Sequence, residues 1–188
     1  QELDTAREIQ VKLLPKAPPQ IPGYDIAARS QAARQVGGDA FDFLDTGDGR
    51  VALCLADVSG KGISASLLMA NVQATIRTLS LTENSLSARL AQANKLLYES
   101  TDSDKFVTMF YSALDVAKHE LSYSNAGHNP PILVTAAGAV KRLEVGGPVL
   151  GVLPQYDFQQ AAVSLEPGDL LLIFTDGFSE AMNLRLDE

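Results

Sequence analysis

The sequence predicts an α+β fold in which many short, mostly antiparallel strands form layers and the helices are grouped together. Two observations lead to this fold class. Nine short segments with strand-like patterns are separated by turn signals such as Thr46–Gly49. Two segments rich in Ala and Leu, with apolar residues at helical spacing, stand side by side between the third and fourth strands.

Size and charge restrict the class of protein. The chain has 188 residues, 46% hydrophobic and 20% charged, which is enough apolar material for the core of one domain. The net charge of -8 and the lack of a Lys/Arg-rich run argue against nucleic-acid binding. No apolar stretch approaches the roughly 18 residues that span a bilayer, and no signal peptide is visible. We therefore expect a cytoplasmic protein without membrane insertion in this segment.

The first element is an amphipathic helix, predicted by apolar residues at three-and-four spacing and ended by Pro15. Closely spaced prolines then predict an extended connector. We expect residues 1–22 to form a linker helix and connector, and residues 23–188 to form the main domain. The helix is either a packing element of that domain or a lever from an upstream sensor or receiver domain. Its apolar stripe needs a partner surface, which favours a homodimer through this helix.

The β pattern begins after the connector. The predicted strands are Tyr24–Ala32, Asp39–Leu44, Arg50–Asp57, Val107–Asp115, Glu120–Asn125, Ile132–Thr135, Ala139–Leu143, Phe158–Ser164 and Leu170–Thr175. The two grouped helices are predicted from about residue 63 to residue 80 and from about residue 86 to residue 99.

The second and third strands predict a pair of neighbouring aspartates. If the Thr46–Gly49 turn closes an antiparallel hairpin, opposing residue numbers sum to about 96, and Asp39 faces Asp57. Two carboxylates at the rim of an apolar layer repel each other, and a divalent cation removes that repulsion. Hard cations such as Mg²⁺ and Mn²⁺ prefer such oxygen ligands. The alternative is an accident of register, with one Asp capping a turn.

Two further features lie near these acids in the pattern. Asp176 directly follows an apolar strand, which is a rigid support for a metal ligand, although the same residue is also a good N-cap for the next helix. The Gly-rich loop after Asp57 contains Lys61 but lacks the spacing of a Walker A loop. It is either a tight turn or a loop whose N–H groups and lysine contact a substrate phosphate.

Four motifs in order along the chain resemble the metal-dependent serine/threonine protein phosphatase family (PPM, type 2C-like), and within it the bacterial SpoIIE/RsbU-like branch. They are Val36–Asp39, Ala56–Gly62, Asn125–Pro131 and Phe174–Ala181. The resemblance extends over nearly the whole chain. It implies a four-layer sandwich of two antiparallel β-sheets flanked by α-helices, with two Mn²⁺ or Mg²⁺ ions bound at one edge.

The resemblance also implies the residues of the site. The implied metal ligands are Asp39, Asp57, the backbone carbonyl of Val58, and Asp176. Asp57 would bridge both ions, and the three aspartates would act in catalysis through a metal-activated water. Gly60 and Lys61 are the candidates for substrate contact. Family members carry a further Asp-Asp motif beyond the Asp176 helix, so we expect the domain to be truncated at its C-terminus and the fragment to bind metal weakly or to be inactive.

The function implied is a protein serine/threonine phosphatase that acts on a phosphorylated regulatory protein. By analogy with the branch, that substrate would be a STAS-domain anti-sigma factor antagonist in partner-switching control of a sigma factor. The alternative is a non-catalytic, pseudophosphatase-type module that sequesters a signalling partner. His128 lies in the Asn125–Pro131 turn and is either a general acid or a residue that hydrogen-bonds the loop.

Overall fold

The computed structural model describes residues 2–31, 36–82 and 85–179. Its helices are α1 (Glu2–Leu13), α2 (Ile63–Thr82), α3 (Leu86–Ser100) and α4 (Asp176–Ser179). Its strands are β1 (Ala40–Asp45), β2 (Arg50–Val58), β3 (Val107–Asp115), β4 (Glu120–Ala126), β5 (Ile132–Val134), β6 (Val140–Arg142), β7 (Gly146–Gly147), β8 (Ala161–Ser164) and β9 (Leu170–Leu172).

The strands form two sheets. The larger has six strands in the order β1-β2-β3-β4-β7, with β8 also paired to β4. Every pair in it is antiparallel except β4–β7. The smaller sheet has the order β6-β5-β9 and is antiparallel throughout. The grouped helices and the two antiparallel-rich sheets confirm the predicted α+β class.

Two apolar layers cover the larger sheet, one on each face. The first lies between the sheet and helices α2 and α3, and its fully buried members include Ala52, Met69, Leu90 and Tyr111. The second includes Phe110, Leu121 and Leu143, with Leu171 and Ile173 packed against it from the end of β9. The larger sheet therefore lies between the two long helices and the smaller sheet.

The outer face of the smaller sheet is apolar and open. Leu170, Leu172 and Val140 are 63%, 41% and 64% exposed, and no helix within the described ranges covers them. A helical layer on this face is therefore not among the described residues. None of the helices in the described part of the chain is long and apolar enough to cross a membrane.

The β1–β2 hairpin has the predicted register. Ala40 pairs with Ala56 and Asp45 pairs with Val51, so opposing residue numbers sum to 96. The turn depends on Gly47 and Gly49, whose φ angles of 75° and 81° lie in the left-handed region that favours glycine. The turn chemistry thus fixes which residues stand at the open end of the hairpin.

The predicted strand Tyr24–Ala32 is wrong. Ile21 and Tyr24 form only an isolated bridge around a turn at Gly23, whose φ is 85°. Residues 25–31 form no strand and are mostly exposed, because no strand among the described residues supplies a hydrogen-bonding partner. Residue 32 lies outside the described ranges. Four other strands are shorter than predicted: β8 begins at Ala161, β9 ends at Leu172, β5 ends one residue early, and β6 lacks one residue at each end. The two-residue strand β7 was not predicted.

Candidate metal centre

Asp39 and Asp57 lie at the open end of the β1–β2 hairpin. Asp39 comes one residue before the Ala40–Ala56 pair, and Asp57 one residue after it. Both are half-buried, and their side chains share a hydrogen bond. On its other side Asp57 is paired with Thr108 of β3, so it sits on an internal strand of the sheet. The rigid ladder therefore holds one carboxylate against the other.

The electrostatics of this pair are unfavourable when no cation is present. Burial raises the pKa of the Asp57 carboxyl to about 7, and the negative charges of Asp39 and Asp176 add to the effect. The hydrogen bond with Asp39 favours the protonated form of Asp57 as well. Below about pH 7, protonation of Asp57 therefore relieves the repulsion between the two carboxylates, as a bound cation would.

The third acid arrives from the smaller sheet. Asp176 is the first residue of α4 and lies four residues beyond the end of β9, with its side chain exposed. Its neighbour Thr175 donates a hydrogen bond from Oγ1 to Oδ2 of Asp39, at 3.0 Å. This contact fastens the end of the smaller sheet to the acidic end of the larger one. Thr175 was not predicted as a site residue, and its place directly before Asp176 is the only signal in the sequence.

The Val58 carbonyl lies against the segment that precedes Asp39. A Cβ atom on Gly38 would stand 2.6 Å from the Val58 oxygen, closer than real Cβ contacts. Glycine at this position therefore lets the chain carrying Asp39 approach the backbone of β2. The carbonyl predicted as a ligand and the Asp39 carboxylate come from adjacent pieces of chain.

These groups fit a hard divalent cation by their chemistry. All are oxygen donors, and the raised pKa of Asp57 reports negative charge that a cation would neutralise. The three carboxylates do not converge on one ion position. Within residues 2–31, 36–82 and 85–179, no three His, Cys, Asp or Glu side chains form a group that could hold a metal ion. The set would need to contract around a bound metal.

The loop after β2 carries Lys61, four residues beyond Asp57 in the chain. Ser59 is fixed to Phe106 by two hydrogen bonds, one from its backbone N–H to the Phe106 carbonyl and one from the Phe106 N–H to its Oγ, both 2.9 Å. Gly60 and Lys61 follow this anchor and are exposed. Gly60 has a φ of 96°, so the chain turns here in a way that glycine permits without strain.

His128 lies behind the acids in a buried position. Its Nδ1 is 2.8 Å from Oγ1 of Thr108, the residue paired with Asp57. Its Nε2 makes no hydrogen bond of normal geometry with the described residues. Burial lowers the pKa of the imidazole to about 4, although the Phe174 carbonyl and the Asp176 charge oppose the effect. An imidazole held neutral in this way packs the site and lacks the imidazolium proton that a general acid would transfer near pH 7.

Comparison with known proteins places the chain beside members of one family. The family model for stage II sporulation protein E (SpoIIE) matches residues 47–188. The phosphoserine phosphatase RsbU of Bacillus subtilis is 34% identical over 180 residues, which cover 95% of this chain and 53% of RsbU. The chain thus spans about half the length of this curated relative.

Solved structures agree with that placement. The RsbU and RsbW domains of a Mycobacterium tuberculosis protein share 31% identity, with a TM-score of 0.69 over 86% of this chain and 44% of that one. The PP2C domain of SiaA from Pseudomonas aeruginosa has the same fold, with a TM-score of 0.73 and 18% identity over 90% of this chain and 68% of that one.

Proposed function

The chain belongs to the SpoIIE family of PP2C-type phosphatases, and from that membership we propose that it is a metal-dependent protein serine/threonine phosphatase. PP2C-type phosphatases depend on metal ions. We propose Mn²⁺ or Mg²⁺ as the metal, with two ions in the complete domain. The proposed substrate is phosphoserine or phosphothreonine on a regulatory protein, specifically a STAS-domain anti-sigma factor antagonist in a partner-switching pathway.

The observation that carries this proposal is the Asp39–Asp57 pair with its raised pKa. Two partly buried carboxylates that repel each other, with Asp176 adding a further negative charge, are unfavourable as a purely structural group. They are stable as ligands. When bound, divalent ions at such a site stabilise negative charge on phosphoryl oxygens and lower the pKa of water.

The chain's own residues have distinct parts in this proposal. Asp39, Asp57 and Asp176 would hold the metal, with the Val58 carbonyl as a neutral ligand. Thr175 orients Asp39 through its 3.0 Å hydrogen bond. Lys61 is exposed on the anchored loop that follows Asp57, and we propose that its ammonium group attracts the substrate phosphate, with Gly60 allowing close approach.

The alternative of a non-catalytic binding module is not favoured. Its acids would be relics, yet Asp57 still carries the unfavourable electrostatics that a metal would relieve. RsbU, which matches 95% of this chain, is named a phosphoserine phosphatase.

Phosphate release from a serine-phosphorylated STAS-domain protein tests the proposal. The intact protein should hydrolyse this substrate with Mn²⁺, and Asp57→Asn should lower the rate at least 100-fold while circular dichroism shows an unchanged fold. Asp102→Asn, which alters an exposed acid, is the matched control. Equal rates in EDTA, or wild-type activity in Asp57→Asn, would refute an enzymatic function.

We also propose that α1 forms a dimer contact that influences the rate. The helix has no fully buried residue, and Leu3, Ile9 and Val11 are 40%, 56% and 60% exposed. A second helix packed against α1 would bury these apolar side chains. Deletion of residues 1–14 should change the oligomeric state, measured by sedimentation equilibrium, or the turnover rate; if neither changes, the helix only covers the domain.

A further inference from the structure

Helix α1 is tied to the chain just before Asp39 by one side chain. The amide of Gln10 pairs with the backbone of Gly37 at both of its ends. Its Nε2 donates to the Gly37 carbonyl at 2.7 Å, and the Gly37 N–H donates to its Oε1 at 3.0 Å. Such a two-point contact fixes the direction as well as the position of the peptide. Gly37 lies two residues before Asp39, so the contact acts on a segment that carries a proposed ligand.

The same helix is tied to β1 on the other side of Asp39. The buried carboxylate of Asp42 accepts hydrogen bonds from Arg77 Nε at 2.6 Å and from Gln73 Nε2 at 3.2 Å. These two side chains of α2 also donate to the Leu13 carbonyl at the end of α1, at 2.9 Å and 3.0 Å respectively. The chain bearing Asp39 is therefore held between two attachments to α1.

A shift at Gly37 would reach two proposed ligands. The next residue, Gly38, packs directly on the Val58 carbonyl oxygen, and the residue after that is Asp39. Close packing leaves no room for Gly38 to move independently of this carbonyl. The backbone position that Gln10 sets is thus shared by the Asp39 carboxylate and the Val58 carbonyl.

From these contacts we propose that Gln10 is a positioning residue for the metal site. It touches neither substrate nor ion, and it acts by holding the Gly37 peptide so that Asp39 and Val58 present their oxygens together. This inference rests on the proposed function, because it takes those two groups as ligands. A glutamine that only anchored the helix would contribute to stability without affecting the affinity for metal.

The test compares Gln10→Met with Glu8→Met in the intact protein. Methionine keeps the length and helix preference of glutamine, but it cannot donate to the Gly37 carbonyl, and its sulfur is only a weak acceptor for the Gly37 N–H. Glu8 is exposed on the same helix, so its replacement controls for a new apolar side chain. Titration calorimetry with Mn²⁺ gives the Kd. Amide hydrogen exchange measures the protection of the Gly37 N–H, which donates to Gln10 in the wild type.

We expect Gln10→Met to raise the Kd for Mn²⁺ about tenfold, the lower end of the range for groups that hold metal ligands in place. Exchange at Gly37 should become faster. Phosphatase activity should return towards the wild-type value at saturating Mn²⁺, because the ligands are displaced and not removed. Glu8→Met should match the wild type in all three measurements.

Two outcomes separate the inference from the function it rests on. If the wild-type protein binds Mn²⁺ and Gln10→Met binds it with the same Kd, the positioning role is wrong and the phosphatase proposal stands. A lower melting temperature with an unchanged Kd would likewise overturn the inference, because Gln10 would then only anchor helix α1 to the domain. If the wild-type protein itself binds no Mn²⁺, the proposed function is refuted, and the inference that depends on it is refuted as well.

Discussion

Replacing Asp57 with Asn should stabilise the metal-free protein at pH 8 while removing its ability to bind metal. Burial and the charges of Asp39 and Asp176 raise the pKa of Asp57 from 3.8 to about 7. Between about pH 4 and pH 7 the folded state therefore holds a proton that the unfolded state has released, and stability falls as the pH rises through this window. Above pH 7 the ionised Asp57 destabilises the folded protein by its full amount, and below pH 4 this destabilisation is absent.

The size of the penalty follows from the pKa and the partial burial of the side chain. At about 1.4 kcal/mol per pKa unit, the full difference between folded and unfolded states would be about 4 kcal/mol. Asp57 is only half-buried, and solvent screening reduces this to about 2 kcal/mol. For a domain of this size, 1 kcal/mol moves Tm by about 2–4 °C, so Asp57→Asn should raise Tm by about 4–8 °C at pH 8.

Thermal unfolding in EDTA at several pH values from 4 to 8 provides the measurement. The difference in Tm between Asp57→Asn and the wild type should be near zero at pH 4 and grow towards pH 8. The exposed Asp102→Asn variant should show no such trend. Added Mn²⁺ at 100 times Kd should stabilise the wild type by about 2.7 kcal/mol and leave Asp57→Asn unchanged. Equal Tm values at every pH would refute the idea of a strained acid pair.

Three other predictions follow from the site. Gly38→Ala should abolish Mn²⁺ binding in calorimetry, because its Cβ would stand 2.6 Å from the Val58 oxygen. The control Gly138→Ala strains a turn of the smaller sheet, where φ is 84°, but has open space around its Cβ and should bind Mn²⁺ normally. Binding by both variants would contradict the close approach. His128→Gln should change kcat less than about threefold across pH 6–8, since the pKa of His128 lies at about 4, and a loss of 100-fold or more would mean that it transfers a proton. Mn²⁺ binding should release about one proton at pH 6 and less at pH 8, because the cation displaces the proton of Asp57. The buffer dependence of the binding enthalpy measures this release, and equal release at both pH values would contradict the prediction.

Much of the site could be predicted from local patterns. The hairpin register followed from the turn, because a two-residue period and a fixed turn position determine which residues face each other. The prediction of a strand at Tyr24–Ala32 failed for the opposite reason: its residues have strand-like composition, but no strand in the described part of the chain pairs with residues 25–31. Contacts between distant segments, such as Thr175 with Asp39 or Gln10 with Gly37, gave no signal along the chain.

The sequence by itself determined the α+β class, the family resemblance and the hairpin that brings Asp39 next to Asp57. These depend on periodicity and turn chemistry, which act between near neighbours in the chain. Only the tertiary structure decided that Asp176 approaches from the smaller sheet, that burial keeps His128 neutral, and that α1 holds both sides of Asp39. Burial and long-range contacts depend on how the layers of the fold pack together. Residues far apart in the sequence come into contact in this packing, and no local sequence pattern predicts which ones do.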